Sequence, residues 1–135
     1  MKIMLHKFVE FIPENIEQGT LYISMQYATA MHKCACGCGN IVVTPFSPTD
    51  WKLLFNGDSV SLSPSIGNWS FPCRSHYFIR NDQVDWCSAW SKKQIQNGRE
   101  ADKNHKNEYY NQLRNNKKEP FIKSLWLNIK KLLKN

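Results

Sequence analysis

The segment that decides the fold class is WKLLF-NGD-SVSLS, residues 51–63. Two apolar-rich runs flank a turn at residues 56–58, and Asn-Gly adopts the positive φ angles of a tight turn at low cost. The segment therefore predicts a β-hairpin. A second hairpin is predicted at residues 76–87, where the polar sequence Asn-Asp-Gln separates two further apolar runs.

Strand signals extend through the first 90 residues. Residues 20–27 alternate apolar and polar side chains, which is typical of a strand with one buried face, and residues 40–46 contain a short β-branched run. Four prolines between residues 45 and 72 separate the apolar runs and disfavour helices there. We therefore predict a small α+β, mostly-β domain at residues 1–90.

The sequence pattern changes after Trp90. Gly and Pro become rare, and Ser91 is suited to cap a helix. Near the C-terminus, seven apolar residues fall on one helical stripe, with Pro120 placed for a first turn. The stripe consists of Phe121, Ile122, Leu125, Trp126, Ile129, Leu132 and Leu133, flanked by Lys123, Lys130, Lys131 and Lys134. Residues 91–135 are therefore predicted to form a basic helical extension.

Charge is divided unevenly along the 135-residue chain, whose formal net charge is +7. Residues 1–90 hold six basic and seven acidic side chains, whereas residues 91–135 hold twelve and four. A basic tail of this kind can bind nucleic acid or an anionic membrane surface. Alternatively, it is a solvated helix whose stripe packs on the sheet or on a second copy of the chain. With no apolar span and no signal peptide in the sequence, we expect a cytoplasmic protein.

The five cysteines point to a metal site. Three lie in the motif C-x-C-G-C-G at residues 34–39, and a C-R-S-H motif follows at residues 73–76. An odd, crowded set is a poor disulfide framework, whereas two chelating turns suit tetrahedral zinc. The preferred ligands are Cys36, Cys38, Cys73 and His76, and Cys34 can replace either of the first two.

One closed Zn²⁺ site favours a structural role over a catalytic one, because a catalytic zinc keeps an open position. No zinc-enzyme motif such as H-E-x-x-H is present. The leading hypothesis is a non-enzymatic binding module that contacts a protein partner. The alternative is a zinc hydrolase, or a cysteine-dependent transferase using Cys34 or Cys38, with no catalytic residue assigned from the sequence.

Three motifs carry a resemblance to a known family: C-x-C-G-C-G, S-L-S-P-S-I at residues 61–66 and C-R-S-H-Y at residues 73–77. Together they resemble the uncharacterised bacterial domain-of-unknown-function family 6527 over residues 20–90, with Phe78 at a position that is usually Trp. The resemblance implies a zinc-binding accessory or adaptor protein of a bacterial ubiquitin-like conjugation or defence system. It also implies E1, E2 or JAB-type components as partners.

Overall fold

The computed structural model describes residues 2–132, apart from the side chains of residues 118–121 and 132. Leu133 of the predicted apolar stripe and Lys134 beside it lie outside the described residues. The chain forms two compact units, Met1–Ser91 and Lys92–Asn135.

Two β-sheets build the first unit. A five-stranded sheet has the order β1-β9-β8-β7-β6, and a four-stranded sheet has the order β2-β3-β4-β5. Neighbouring strands are antiparallel except for β2 and β3, which are parallel. The strands are β1 (Lys2–Ile3), β2 (Leu5–Phe8), β3 (Thr20–Ser24), β4 (Thr29–Lys33), β5 (Ile41–Pro45), β6 (Lys52–Phe55), β7 (Val60–Gly67), β8 (His76–Arg80) and β9 (Gln83–Trp86). With one C-terminal helix, this architecture confirms the predicted α+β, mostly-β class.

Both predicted hairpins form. In β6–β7, Lys52 pairs with Ser63 and Phe55 with Val60, around a turn in which Gly57 has a φ of 97°. In β8–β9, the turn residues Asn81 and Asp82 both have positive φ angles. These turns fix the register, which decides which side chains share a face of the sheet.

The predicted strand at residues 20–27 is shorter than expected. It ends at Ser24, and the chain turns at residues 25–28, where Ala28 has a φ of 47°. All five residues of β3 are buried, so the strand is covered on both faces. Met25 and Tyr27, predicted for the buried face, are exposed.

The core joins side chains from both sheets into one cluster. Its largest members include Leu21 and Ile23 of β3, Leu62 and Ile66 of β7, and Tyr77 of β8. Because side chains alternate along a strand, His76 and Phe78 lie on the opposite face of β8 from Tyr77. That outer face carries the site described below.

The second unit is a single helix, α1 (Lys92–Leu132), which begins directly after Ser91. Pro120 was expected in the first turn of a separate helix, but the helical backbone continues through it. Pro120 therefore lies in the interior of a helix, where it removes one backbone hydrogen bond. Within residues 2–132, we find no helix with the length and apolar character needed to cross a membrane.

Candidate functional site

Four cysteines from two distant segments converge in the first unit. The Sγ atoms of Cys34, Cys36, Cys38 and Cys73 all lie within 4.8 Å of one another. Cys34 follows the end of β4 and is fully buried, whereas the other three thiols are at the surface. Gly37 has a φ of 90°, which lets the chain fold back between the three cysteines of the C-x-C-G-C-G motif.

The donor set fits a tetrahedral zinc ion. Four zinc–sulfur bonds of about 2.3 Å require sulfur atoms roughly 3.8 Å apart. The Cys34 Sγ lies 3.3 Å from that of Cys36 and 3.9 Å from that of Cys73, and the Cys38 and Cys73 Sγ atoms are 3.7 Å apart. Four thiolates without a hard oxygen donor favour zinc over magnesium or calcium.

Polar groups surround the cluster, and those beside Cys38 stabilise its thiolate. The Asn40 side-chain amide donates to Cys38 Sγ at 3.2 Å, and hydrogen bonding by the Asn40 backbone N–H lowers the pKa of Cys38 to about 6. On the buried side, the Asn68 amide donates to Ser75 Oγ at 2.9 Å, and that hydroxyl lies 3.0 Å from Cys34 Sγ. Such hydrogen-bonding groups orient metal ligands.

A buried tyrosine and histidine extend this network into the core. The Ala35 N–H and the Asn68 amide both donate to the Tyr77 hydroxyl oxygen at 3.4 Å, so its proton points to His32 Nε2, 2.8 Å away. Burial lowers the pKa of His32 to about 4, so its ring is neutral. His32 is therefore a buried, neutral hydrogen-bond acceptor in the core.

His76 was predicted to be a metal ligand, but it does not lie in the cysteine cluster. Its Nε2 is 3.0 Å from Ser65 Oγ, and its Nδ1 is 3.1 Å from the carbonyl oxygen of Ser88. A carbonyl oxygen only accepts hydrogen bonds, so Nδ1 carries the proton and Nε2 accepts from the Ser65 hydroxyl. The structure thus brings the four cysteines together and gives His76 a serine partner.

A bulge in β7 presents Ser65 to this histidine. Leu62 pairs with Ile79 and Ile66 with Tyr77, so three residues of β7 lie opposite one residue of β8. The extra residues break the alternation of the strand and re-aim its side chains, as β-bulges do beside many active sites. Ser75 is the neighbouring alternative to Ser65, but its hydroxyl contacts cysteine sulfur atoms instead.

Two indoles enclose the imidazole. The Trp69 ring centroid lies 4.9 Å from that of His76, and the Trp90 centroid lies 5.2 Å from it. The two indoles stack on each other at 5.2 Å with an interplanar angle of 17°. His76 is only 7% exposed, so its ring is held by packing as well as by hydrogen bonds.

Gly67 is the residue that admits Trp69 to this position. A Cβ atom at Gly67 would lie 2.4 Å from two atoms of the Trp69 indole, which is far inside contact distance. We expect Gly67→Ala to displace the indole, to lower the free energy of unfolding by about 1–3 kcal/mol and to change the near-UV circular dichroism of the stacked tryptophans. In a Trp69→Ala background the same glycine substitution should cost little. An equal cost in both backgrounds would contradict this steric explanation.

One short segment connects the cysteine cluster to the serine–histidine pair. The Asn68 backbone N–H donates to the Ser75 carbonyl at 2.9 Å, which closes a loop over residues 68–75. Cys73 lies in this loop three residues before His76, and Trp69 lies near its start. A metal bound by the cysteines would therefore anchor this loop at Cys73, close to the histidine.

Sequence reasoning missed Ser65 and the role of His76. The signal was present in S-L-S-P-S-I, where a proline and three serines interrupt a strand. That pattern marks an irregular strand. It does not identify which histidine the serine faces.

Comparison with known proteins identifies a family. No curated protein and no solved structure matches the chain. The sequence model of a family described as "Bacterial ubiquitination-like system serine protease (BubE)" matches residues 8–87, which is more than half of the chain. The matched region includes the four cysteines, Ser65 and His76, and the chain therefore belongs to the BubE family of the bacterial ubiquitination-like system.

Proposed function

We propose that this chain is a serine protease in which Ser65 is the nucleophile and His76 is the general base. The observation that carries the proposal is the 3.0 Å contact between Ser65 Oγ and His76 Nε2, with Nδ1 held by the Ser88 carbonyl. A nucleophile, a base within hydrogen-bond reach and a group that orients the base form the arrangement used for acyl transfer. Here a backbone carbonyl orients the histidine in place of a carboxylate.

The reaction would proceed in two steps, formation of an acyl-enzyme and its hydrolysis. Ser65 Oγ attacks the carbonyl carbon of the substrate and His76 Nε2 takes the hydroxyl proton. The carbon–nitrogen bond then breaks, and the same proton passes from Nε2 to the leaving amine. In the second step His76 Nε2 takes a proton from a water molecule as the water oxygen attacks the acyl carbon. The ester bond between that carbon and Ser65 Oγ then breaks, Nε2 returns the proton to Oγ, and the carboxylic acid product leaves.

We assign the cysteine cluster a structural role. Four thiolates would close the coordination sphere of zinc and leave no position for water. The metal would stabilise the loop over residues 68–75 and so keep His76 in place, without taking part in bond cleavage.

This proposal favours an enzyme over the adaptor hypothesis, but one that uses serine instead of the zinc or cysteine of the alternative predicted from sequence. The match to a family described as a protease supports it, and so does the serine–histidine contact. The resemblance to domain-of-unknown-function family 6527 stays a prediction, as do the conjugation components named as partners. Binding of nucleic acid, a membrane surface or a second copy through α1 also stays a prediction, consistent with exposed Leu125, Trp126 and Ile129 beside lysines.

A fluorophosphonate probe tests the proposed nucleophile. The probe forms a phosphorus–oxygen bond with an activated serine and releases fluoride. We expect one label per chain, located on Ser65 by peptide mass spectrometry and lost in His76→Gln, whose side chain cannot act as a base. Ser59 in the β6–β7 turn is the matched internal control and should stay unlabelled. Absence of label on folded wild-type protein would contradict the enzyme proposal and favour the adaptor.

A further inference from the structure

A second site lies on the same outer face of the five-stranded sheet as Ser65 and His76. A cavity of about 320 Å³ is lined by Leu54 of β6, Ser61 and Ser63 of β7, Phe78 and Arg80 of β8, and Asn81. This volume is at the small end of the range for ligand pockets, which is roughly 300–1,000 Å³. The cavity takes no part in the chemistry proposed above.

Strand geometry places this cavity next to the reacting groups. Alternate residues of a strand share a face and are about 6.6 Å apart, so Phe78 lies one such step from His76 and Arg80 lies two. On β7, Ser63 lines the cavity and Ser65 is two residues further along. A peptide whose scissile bond lay at Ser65 would therefore extend over the cavity within two or three residues.

The lining defines the chemistry of the side chain that fits. Leu54 and Phe78 supply apolar surface, and the guanidinium of Arg80 lies 3.8 Å from the centroid of the Phe78 ring. Asp85 accepts a hydrogen bond from Arg80 Nη1 at 3.2 Å, which holds the guanidinium in place. A guanidinium has five N–H donors. Among the described side chains, Asp85 is the hydrogen-bond partner of Arg80, and it contacts only Nη1. The other N–H groups of Arg80 can therefore bind a second carboxylate.

A further positive charge borders this part of the sheet. Lys52 is the cross-strand partner of Ser63, so its side chain emerges on the outer face beside the cavity. Lys52 and Arg80 together outweigh the single charge of Asp85. The combination of an apolar floor and a cationic rim suits an aliphatic stem that ends in a carboxylate.

We propose that this cavity, which we call the Arg80 pocket, is a specificity subsite that binds an acidic side chain of the substrate, two or three residues from the scissile bond. This inference rests on the proposed protease function. Phe78 and Leu54 contact the methylene groups of the acidic side chain, and Arg80 binds its carboxylate. The pocket therefore selects substrates by charge at a distance from the reacting bond.

The test uses binding, so that it does not depend on catalysis. Full-length Ser65→Ala protein is titrated with fluorescein-labelled octapeptides of glycine and serine that carry one Glu at successive positions, and with matched Gln peptides. We expect one Glu peptide to bind about tenfold more tightly than its Gln counterpart, the effect of one partly exposed charged hydrogen bond. Arg80→Gln should remove this preference, and Lys52→Gln, which leaves the Phe78 contact intact, should reduce it.

Arg114→Gln is the matched control, because it makes the same substitution in α1, and it should keep the preference. Equal binding of every Glu and Gln pair, or a preference that survives Arg80→Gln, would overturn the Arg80 pocket even if wild-type protein is labelled at Ser65. A Glu preference that depends on Arg80 in a chain that takes no fluorophosphonate would support the pocket while the protease proposal failed.

Discussion

Ser65→Ala is expected to lower the turnover of p-nitrophenyl acetate by a factor of about 10⁴, the scale of loss when a serine nucleophile is removed from an acyl-transfer site. The residual rate reflects whatever binding and polarisation the site supplies without the nucleophile. Among the described side chains, the Ser65 hydroxyl contacts His76. Its removal should therefore leave folding unchanged. The measurement is steady-state hydrolysis at neutral pH, with circular dichroism to verify the fold.

The same assay tests whether Ser65 and His76 act together in catalysis or contribute to it independently. His76→Gln should cost nearly as much as Ser65→Ala, and the double variant should be no slower than the slower single variant, because a nucleophile without its base is as ineffective as no nucleophile. Ser59→Ala, which removes a hydroxyl from the β6–β7 turn, should keep the wild-type rate. Additive effects of the two site substitutions would show that the residues act separately and would contradict the proposed mechanism.

Removal of the metal is the second change for which we expect a large effect. We predict one zinc ion per purified chain, and its loss in serine variants of Cys34, Cys36, Cys38 or Cys73. A ligand that binds only the folded chain at a thousand times its Kd stabilises it by about 4 kcal/mol. Each variant should therefore lose at least about this much unfolding free energy, as should wild-type protein treated with a chelator.

Two further variants decide the ligand set. Cys87→Ser changes the one cysteine outside the cluster and should keep both zinc and stability. His76→Gln should also keep zinc while losing hydrolysis, because His76 contacts Ser65 rather than the cysteines. Zinc loss in His76→Gln, with zinc retained in the Cys34 variant, would instead support the set predicted from sequence. Metal analysis and thermal unfolding provide the two readouts.

Local sequence predicted much of the fold. Turn chemistry located the β6–β7 and β8–β9 hairpins, because Asn-Gly and Asn-Asp adopt positive φ angles more easily than other pairs. The strands at the N-terminus were missed, since β1 and β2 are short and pair with residues far away in sequence. β4 was missed as well, because its Thr, His and Lys residues mask its alternation.

The site was only partly predictable for the same reason. Cysteine spacing identified two chelating turns, and three of the four preferred ligands lie in the observed cluster. Spacing could not choose Cys34 over His76, because that choice depends on which side chains of β8 face the core. His76 and Tyr77 are neighbours in sequence, yet they lie on opposite faces of one strand.

By itself, the sequence determined the β-rich first unit, the helical extension and the convergence of cysteines, since turn propensity, side-chain periodicity and chelate spacing act over a few residues. Only the tertiary structure decided that Ser65 faces His76 and that the fourth sulfur comes from Cys34. The position of Cys34 depends on how the end of β4, in one sheet, meets the loop over residues 68–75 in the other. The contact between Ser65 and His76 depends on the register between β7 and β8 and on the bulge within it. A shift of one residue in that register would turn the same side chains to the other face, and no local pattern specifies it.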